Sequence, residues 1–283
     1  MGKQDRKDRP FFSDKERFAE FINCNIYHGE QIVLSENLEL LKRKYPSLAG
    51  ASGEKERDVV MKDRRKNICY GLEIETESDY SMPERVMVYD ACEYEYQIKE
   101  IYKRHTDEEN YDSYREKKSR IKEDDFLLPV ITAVLYLGEG HWDSCSCLTG
   151  MFHMLTKGDM PQEEYLNDYS FPLIEADYVN PEDYRTDLKE FFQAMQCRQD
   201  KKRLAELFQS ERFQTLSVET VEEIAVHLSM KGLMRKIEKI KTEEGALLCV
   251  EQLKSGWKMN GTREDGKGLE KVKKKAKKKK SCR

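Results

Sequence analysis

Three glutamates occupy alternate positions of one short segment: Glu73, Glu75 and Glu77 in GLEIETE. In a β-strand, side chains two residues apart point to the same face, about 6.6 Å from each other. Carboxylates this close raise one another's proton affinity unless a cation neutralises them, and Mg²⁺ or Mn²⁺ prefers such oxygen ligands. The alternative is a strand that shows its acidic face to water, which the alternation alone favours.

A neighbouring segment adds another acid. The runs RDVVMKD and NICYGLEIE are rich in β-branched and apolar residues, and the charged bend from Asp63 to Asn67 separates them. This pattern predicts an antiparallel hairpin with Asp58 on its first strand. Opposed residues in such a pair lie about 5 Å apart, so we expect Asp58, Glu73 and Glu75 to converge.

The segments that follow predict the elements that hold these acids in place. MPERVMVYDACEYEYQIKEIY has the apolar spacing of a helix that begins near Pro83, and LLPVITAVLYLG predicts a central strand buried on both faces. GEQIVLSENLELLKRKYP predicts a short extended piece and then a helical turn capped by Ser35. Beyond GDMPQEEY the pattern is helical. The sequence therefore predicts an α/β fold with a small mixed sheet flanked by helices.

We divide the chain by these changes of pattern and composition. The predicted units are a flexible N-terminus (1–10), an α/β core (11–175), a helical C-terminal region (176–262) and a disordered basic tail (263–283). Charged residues make up 37% of the 283 and aromatic residues 10%, which predicts a packed core under a highly charged surface.

Several functional classes are disfavoured by the sequence. No apolar run reaches the roughly 18 residues that a membrane span needs, and the start MGKQDRKDRP lacks the apolar part of a secretory signal, so we expect a cytoplasmic protein with no membrane partner. The eight cysteines are scattered and are expected to be reduced. His141, Cys145 and Cys147 in HWDSCSC could supply three zinc ligands, but a loop with small thiols is the preferred reading.

The charge is distributed unevenly. The net charge is −4, but the last 13 residues, KVKKKAKKKKSCR, carry nine positive charges and no acid, so the first 270 residues carry −13. Such a tail is either a solvated arm or a nonspecific contact for phosphates. Lys273, Lys274 and Lys275 are its candidate DNA contacts.

Several segments together resemble the Rpn family of recombination-promoting nucleases, which are also labelled transposases and belong to the PD-(D/E)XK nuclease superfamily. The similar segments are ERFAEFIN, RDVVMK, GLEIETESDYSMPERVMVYDA, PVITAVLYLG, HWD and DLKEFFQAMQCRQDKKRLAELFQSERFQ. The likeness extends from about Phe11 to Cys249, and MPxRxxxYDA is its most distinctive fragment. The superfamily has a fixed order of elements: an Asp on one strand, Glu-x-Lys on the next strand, and then a helix.

The resemblance implies a DNA endonuclease that requires Mg²⁺ or Mn²⁺ and acts in recombination or transposition. It makes Asp58 and Glu73 the metal ligands, and it puts Glu75 where the superfamily has Lys, or Gln in many of these relatives. Glu75 would serve as a general base or extra ligand, or it would mark an inactive nuclease fold that binds DNA or a protein. A homo-oligomer is compatible with either reading.

Three further residues have a functional and a structural reading. Arg85 and Tyr89 lie four residues apart on the predicted helix, and the resemblance places both near the site, where Arg85 could bind phosphate. The structural reading pairs Arg85 with a strand carboxylate and packs Tyr89 in the core. Glu20, on the first predicted helix, is either a further acid of the site or a solvent-facing residue.

We predict that deleting Lys271 to Arg283 weakens DNA binding and makes it less sensitive to salt. Each phosphate that the tail neutralises contributes about 0.9 to the slope of log affinity against log salt. The measurement is a salt titration of DNA binding by full-length and truncated protein, in Ca²⁺ so that no cutting occurs. Equal slopes for the two proteins would show that the tail does not contact DNA.

Overall fold

A computed structural model of the protein describes residues 8–42, 45–46, 54–55, 57–108, 111–152, 166–235 and 237. The strands are β1 (Leu38–Leu40), β2 (Tyr45–Pro46), β3 (Glu54–Lys55), β4 (Val59–Asp63), β5 (Ile68–Glu75), β6 (Val130–Tyr136) and β7 (Leu173–Glu175). Five of them form one sheet in the order β1-β4-β5-β6-β7, while β2 and β3 pair with each other in a second, two-stranded sheet.

Helices precede the sheet, connect two of its strands and follow it. They are α1 (Asp8–Phe12), α2 (Lys15–Asn25), α3 (Met82–Glu108), α4 (Tyr114–Ser119), α5 (Leu188–Gln196), α6 (Lys201–Gln209), α7 (Glu211–Gln214) and α8 (Val218–His227). Short 3₁₀ helices span Ser35–Asn37, Thr149–Met151 and Pro181–Asp183.

The sheet is mixed because of how its strands are connected. β1, β4 and β5 are antiparallel neighbours, and the β4–β5 turn from Asp63 to Asn67 lies where the sequence predicted it. Asp63 Oδ1 accepts hydrogen bonds from the N–H groups of Arg65 and Lys66, which fixes this turn. The long crossover through α3 then makes β6 parallel to β5, and β7 is parallel to β6.

Helices cover both faces of the sheet. On one face, α3 packs its Met82 and Val86 against Val134 and Tyr136 of β6. On the other face, strand side chains such as Leu72 share one apolar cluster with the N-terminal and C-terminal helices. Other members of this cluster are Phe12, Phe21, Met61, Leu135, Phe191, Phe192 and Ile224. Residues 73 and 75 lie on the α3 face, because Leu72 faces the other side and strand side chains alternate.

The predicted α/β fold with a mixed sheet and flanking helices is confirmed. The sequence did not predict the two edge strands of this sheet, β1 and β7. The helical turn predicted after Ser35 is limited to Ser35–Asn37, and β1 follows it directly; β7 was not predicted. Residues 8–10, predicted to be flexible, lie in α1. The division at residue 175 stays a prediction, although the apolar cluster contains residues from both sides of it. None of the described helices is long and apolar enough to cross a membrane.

Candidate active site

The carboxylate of Glu73 is buried between the sheet and helix α3. Glu73 is only 2% exposed, so the reading of this strand as a solvent-facing acidic surface is wrong. Glu75, the last residue of β5, is half-buried. Glu77 lies beyond the end of the strand and is exposed. The strand therefore holds two of its three alternating glutamates on the α3 face.

Asp58 was predicted to lie on the first strand of the hairpin. It lies one residue before β4 instead, beside Glu73. Val59 pairs with Leu72, so continuing this register puts Asp58 opposite Glu73. Its Oδ2 accepts a hydrogen bond of 2.9 Å from the N–H of Ile74. This bond fixes the Asp58 side chain against β5, as the hairpin prediction required.

Arg85 connects helix α3 to the acids of β5. Its Nη2 donates to Glu75 Oε1 and lies 3.5 Å from Glu73 Oε2, while Nη1 donates to Asp79 Oδ2 at 2.8 Å. Asp79 also accepts hydrogen bonds from Ser81 at the start of α3. Of the two readings of Arg85, the structure has the pair with strand carboxylates.

A second arginine, Arg57, was missed by the sequence reasoning. Its side chain is 1% exposed, and its Nε lies 3.3 Å from Glu73 Oε1. Its Nη1 donates to Asp90 Oδ1 at 3.0 Å, and its Nη2 donates to Thr132 Oγ1. The signal in the sequence was a charged residue directly before Asp58, at the start of an apolar strand.

Tyr89 is packed against this arginine. It is 6% exposed, and the Arg57 guanidinium carbon lies 5.5 Å from the centroid of its ring. Burial raises the pKa of the Tyr89 hydroxyl to about 12, and the charge of Glu73 acts in the same direction. Tyr89 is therefore neutral at physiological pH and is part of the wall of the site, which is the structural reading.

The electrostatics of the site favour an additional positive charge. Burial raises the pKa of Glu73 to about 7, the Asp58 carboxylate acts in the same direction, and Arg57 and Arg85 oppose both. Burial also raises the pKa of Glu75, again against the effect of Arg85. Since the pKa of Glu73 stays raised beside two guanidiniums, a further cation would stabilise its ionised form.

The donor set suits a hard divalent cation held by two carboxylates. In the part of the chain that is described, no group of three or more His, Cys, Asp and Glu side chains is arranged to hold a metal ion. Glu75 pairs with Arg85. Asp58 and Glu73 remain, and Mg²⁺ is commonly held by one or two carboxylates with water and substrate phosphate.

The other predicted residues lie apart from this site or outside the described ranges. His141 stacks on Tyr178 with ring centroids 4.0 Å apart, and its Nδ1 lies 3.4 Å from Glu175 Oε2. Cys145 and Cys147 are free thiols. Glu20 is neither exposed nor part of the acidic site, because it accepts hydrogen bonds from the N–H groups of Arg185 and Thr186. Lys273, Lys274 and Lys275 lie outside the described residues.

Comparisons with known proteins give no match. No protein-family model, no curated protein and no solved structure is significantly similar to this chain.

We predict that Glu73 makes the metal-free protein less stable as the pH rises. Its pKa is about 7 when folded and 4.5 ordinarily, so its favourable contribution is complete below pH 4.5 and is lost by about pH 7. Urea unfolding in EDTA across this range should show that wild type loses more stability than Glu73→Gln, by on the order of 3 kcal/mol.

The control for this experiment is Glu95→Gln, on the exposed surface of α3. The Glu95 side chain is 56% exposed and pairs with Lys99, so its replacement should leave the pH profile of wild type unchanged. Parallel profiles for wild type and Glu73→Gln would contradict the assignment of a raised pKa to Glu73.

Proposed function

We propose that the protein is a divalent-metal-dependent DNA endonuclease with the PD-(D/E)XK fold, linked to recombination or transposition. The observation that carries the proposal is the buried Glu73 carboxylate beside Asp58, in a site whose electrostatics favour another cation. The order of elements supports it: Asp58 precedes one strand, Glu73 lies on the next, and a helix follows. This is the order that the resemblance to the Rpn nucleases implies.

Asp58 and Glu73 would hold Mg²⁺ or Mn²⁺. When bound, such an ion lowers the pKa of water and neutralises charge on the phosphate and the leaving oxygen. Asp58 already accepts one hydrogen bond from the N–H of Ile74, which holds its carboxylate in a fixed orientation. Carboxylate oxygens such as those of Asp58 and Glu73 are the ligands that a hard divalent cation prefers.

Arg85 would supply the positive charge that Glu75 cannot. The superfamily usually has Lys at residue 75, and a lysine can donate to phosphate, whereas an ionised glutamate only accepts. Here the carboxylate of Glu75 binds Arg85, whose Nη2 also lies near Glu73. In this proposal Glu75 positions Arg85, and the guanidinium stabilises charge on the phosphate.

A specific observation also favours the second candidate, an inactive nuclease fold that binds DNA or a protein. Arg57 contacts one oxygen of Glu73 and Arg85 lies near the other. Two guanidiniums already provide part of the positive charge that a metal would otherwise supply. Cleavage assays with a series of metals separate the two candidates.

We predict that wild type nicks supercoiled plasmid in Mg²⁺ or Mn²⁺ but not in Ca²⁺ or EDTA, and that Asp58→Asn and Glu73→Gln remove the activity. Each substitution removes an anionic ligand, while the side-chain amide in Asp58→Asn keeps an oxygen that can accept from the N–H of Ile74. Agarose gels report the nicked fraction. Loss of a ligand should lower the rate by at least about 100-fold, as loss of a single stabilising group in an active site does.

A buried acid outside the site is the matched control. Glu190 on α5 is 1% exposed and pairs with Arg212, so Glu190→Gln tests the loss of a buried carboxylate without touching the candidate ligands. It should nick plasmid at the wild-type rate while folded. Full nicking by Asp58→Asn, with contamination excluded, would end the proposed mechanism. Absence of nicking by wild type in every metal would select the inactive fold.

We predict opposite outcomes for two substitutions of Glu75. Glu75→Gln keeps an acceptor for Arg85 and should retain most of the cleavage activity. Glu75→Lys puts a like charge beside Arg85, displaces it and should lower the rate by about 100-fold, the effect of losing one charge-stabilising donor. Higher activity in Glu75→Lys than in wild type would instead identify Glu75 as a degenerate replacement of the catalytic lysine.

A further inference from the structure

We propose that Arg57 is a positioning residue for Glu73 and Asp58, and that Asp90 and Thr132 hold Arg57 in place for this task. The inference rests on the proposed function, because it treats Glu73 and Asp58 as metal ligands. It assigns a role to three buried polar residues that contact each other beneath the candidate site.

The guanidinium of Arg57 is held on three sides. Nη1 donates to Asp90 Oδ1 at 3.0 Å, Nη2 donates to Thr132 Oγ1, and Nε faces Glu73 Oε1 at 3.3 Å. Thr132 Oγ1 in turn donates to Asp90 Oδ1 at 2.5 Å. Asp90 Oδ2 accepts a hydrogen bond from the hydroxyl of Tyr169. The Arg57 side chain is 1% exposed and is held by Asp90 of α3 and Thr132 of β6, while Tyr169 holds Asp90 from its other side.

The neighbouring strand is shaped to accept this guanidinium. Gly71 lies on β5 two residues before Glu73, on the same face of the strand. A Cβ atom at residue 71 would overlap the Arg57 guanidinium and would lie 2.7 Å from Thr132 Oγ1. A side chain at this position is therefore incompatible with the observed place of Arg57, and glycine leaves the space.

This arrangement fixes both candidate ligands at once. Arg57 is the residue directly before Asp58 in the chain, so anchoring its side chain also restrains the backbone that carries Asp58. At the same time, its Nε restrains the Glu73 carboxylate. Partners behind metal ligands orient those ligands, and their loss typically weakens metal binding by about 10- to 100-fold.

The chain contains a second cluster of the same chemistry, which provides a matched control. Arg17 donates to Asp187 at 2.7 and 2.9 Å, and Thr220 Oγ1 also donates to Asp187. The Arg17 guanidinium carbon lies 4.2 Å from the centroid of the Phe11 ring, much as Arg57 lies over Tyr89. This cluster joins α2, α5 and α8, and its contacts involve neither Asp58 nor Glu73.

The test is Mn²⁺ binding, measured from the electron paramagnetic resonance signal of free Mn²⁺, with DNA absent. Thr132→Val removes the hydroxyl that bridges Arg57 and Asp90, Thr132→Ser keeps it, and Thr220→Val makes the same change in the control cluster. We expect Thr132→Val to raise the Kd for Mn²⁺ by about 10-fold or more. Thr132→Ser and Thr220→Val should bind Mn²⁺ like wild type.

The possible results separate this inference from the proposed function. If wild type binds no Mn²⁺, the proposed function fails and the positioning role fails with it. If wild type binds and folded Thr132→Val binds equally well, only the positioning role is overturned. Equal weakening in Thr132→Val and Thr220→Val would also overturn it, since the effect would then be general destabilisation.

If Thr132→Val does not fold, a second variant tests whether Arg57 positions the candidate metal ligands. Tyr169 is half-buried and its hydroxyl donates to Asp90 Oδ2, so Tyr169→Phe loosens the anchor of Arg57 with less disturbance of the core. Weaker Mn²⁺ binding by several-fold supports the positioning role, and wild-type binding overturns it.

Discussion

Burying an ionised carboxylate costs solvation free energy, which positively charged partners or hydrogen bonds must offset. In this fold the carboxylate that most needs such partners is that of Glu73. Its carboxylate lies between β5 and α3, where burial raises its pKa to about 7 even beside Arg57 and Arg85. An unpaired charge at such a position would cost several kcal/mol, on the order of 3 to 5 when one partner of a buried pair is lost. Two arginines from different parts of the chain, Arg57 before β4 and Arg85 on α3, therefore lie beside this carboxylate.

The contacts of the two arginines explain why the strand order and the long helix matter for the site. Arg57 lies just before β4 and reaches Asp90 on α3 and Thr132 on β6, whereas Arg85 comes from the first turns of α3. The β4–β5 hairpin, the crossover through α3 and the parallel strand β6 together bring these positions to one place. The contacts of the acidic site thus join the same elements that define the topology. Loss of these contacts should therefore also weaken the packing of α3 on the sheet.

The sequence predicted the features that follow from local patterns. The β4–β5 hairpin, the helix with Arg85 and the buried strand β6 all have a clear periodicity or a turn signal. Arg57 was missed because a charged residue before an acid normally indicates exposure, and only the tertiary structure places it over Gly71. β1 and β7, with three residues each, are too short to show a period. Alternation also could not tell whether Glu73 faced water or α3.

Anomalous diffraction from crystals of the full chain grown with Mn²⁺ would locate a bound ion without reference to activity. If Asp58 and Glu73 hold a metal, we expect an anomalous peak that contacts one carboxylate oxygen of each, with Arg57 still bound to Asp90. Well-ordered Asp58 and Glu73 with no peak between them, at an Mn²⁺ concentration that fills other sites on the protein, would contradict it.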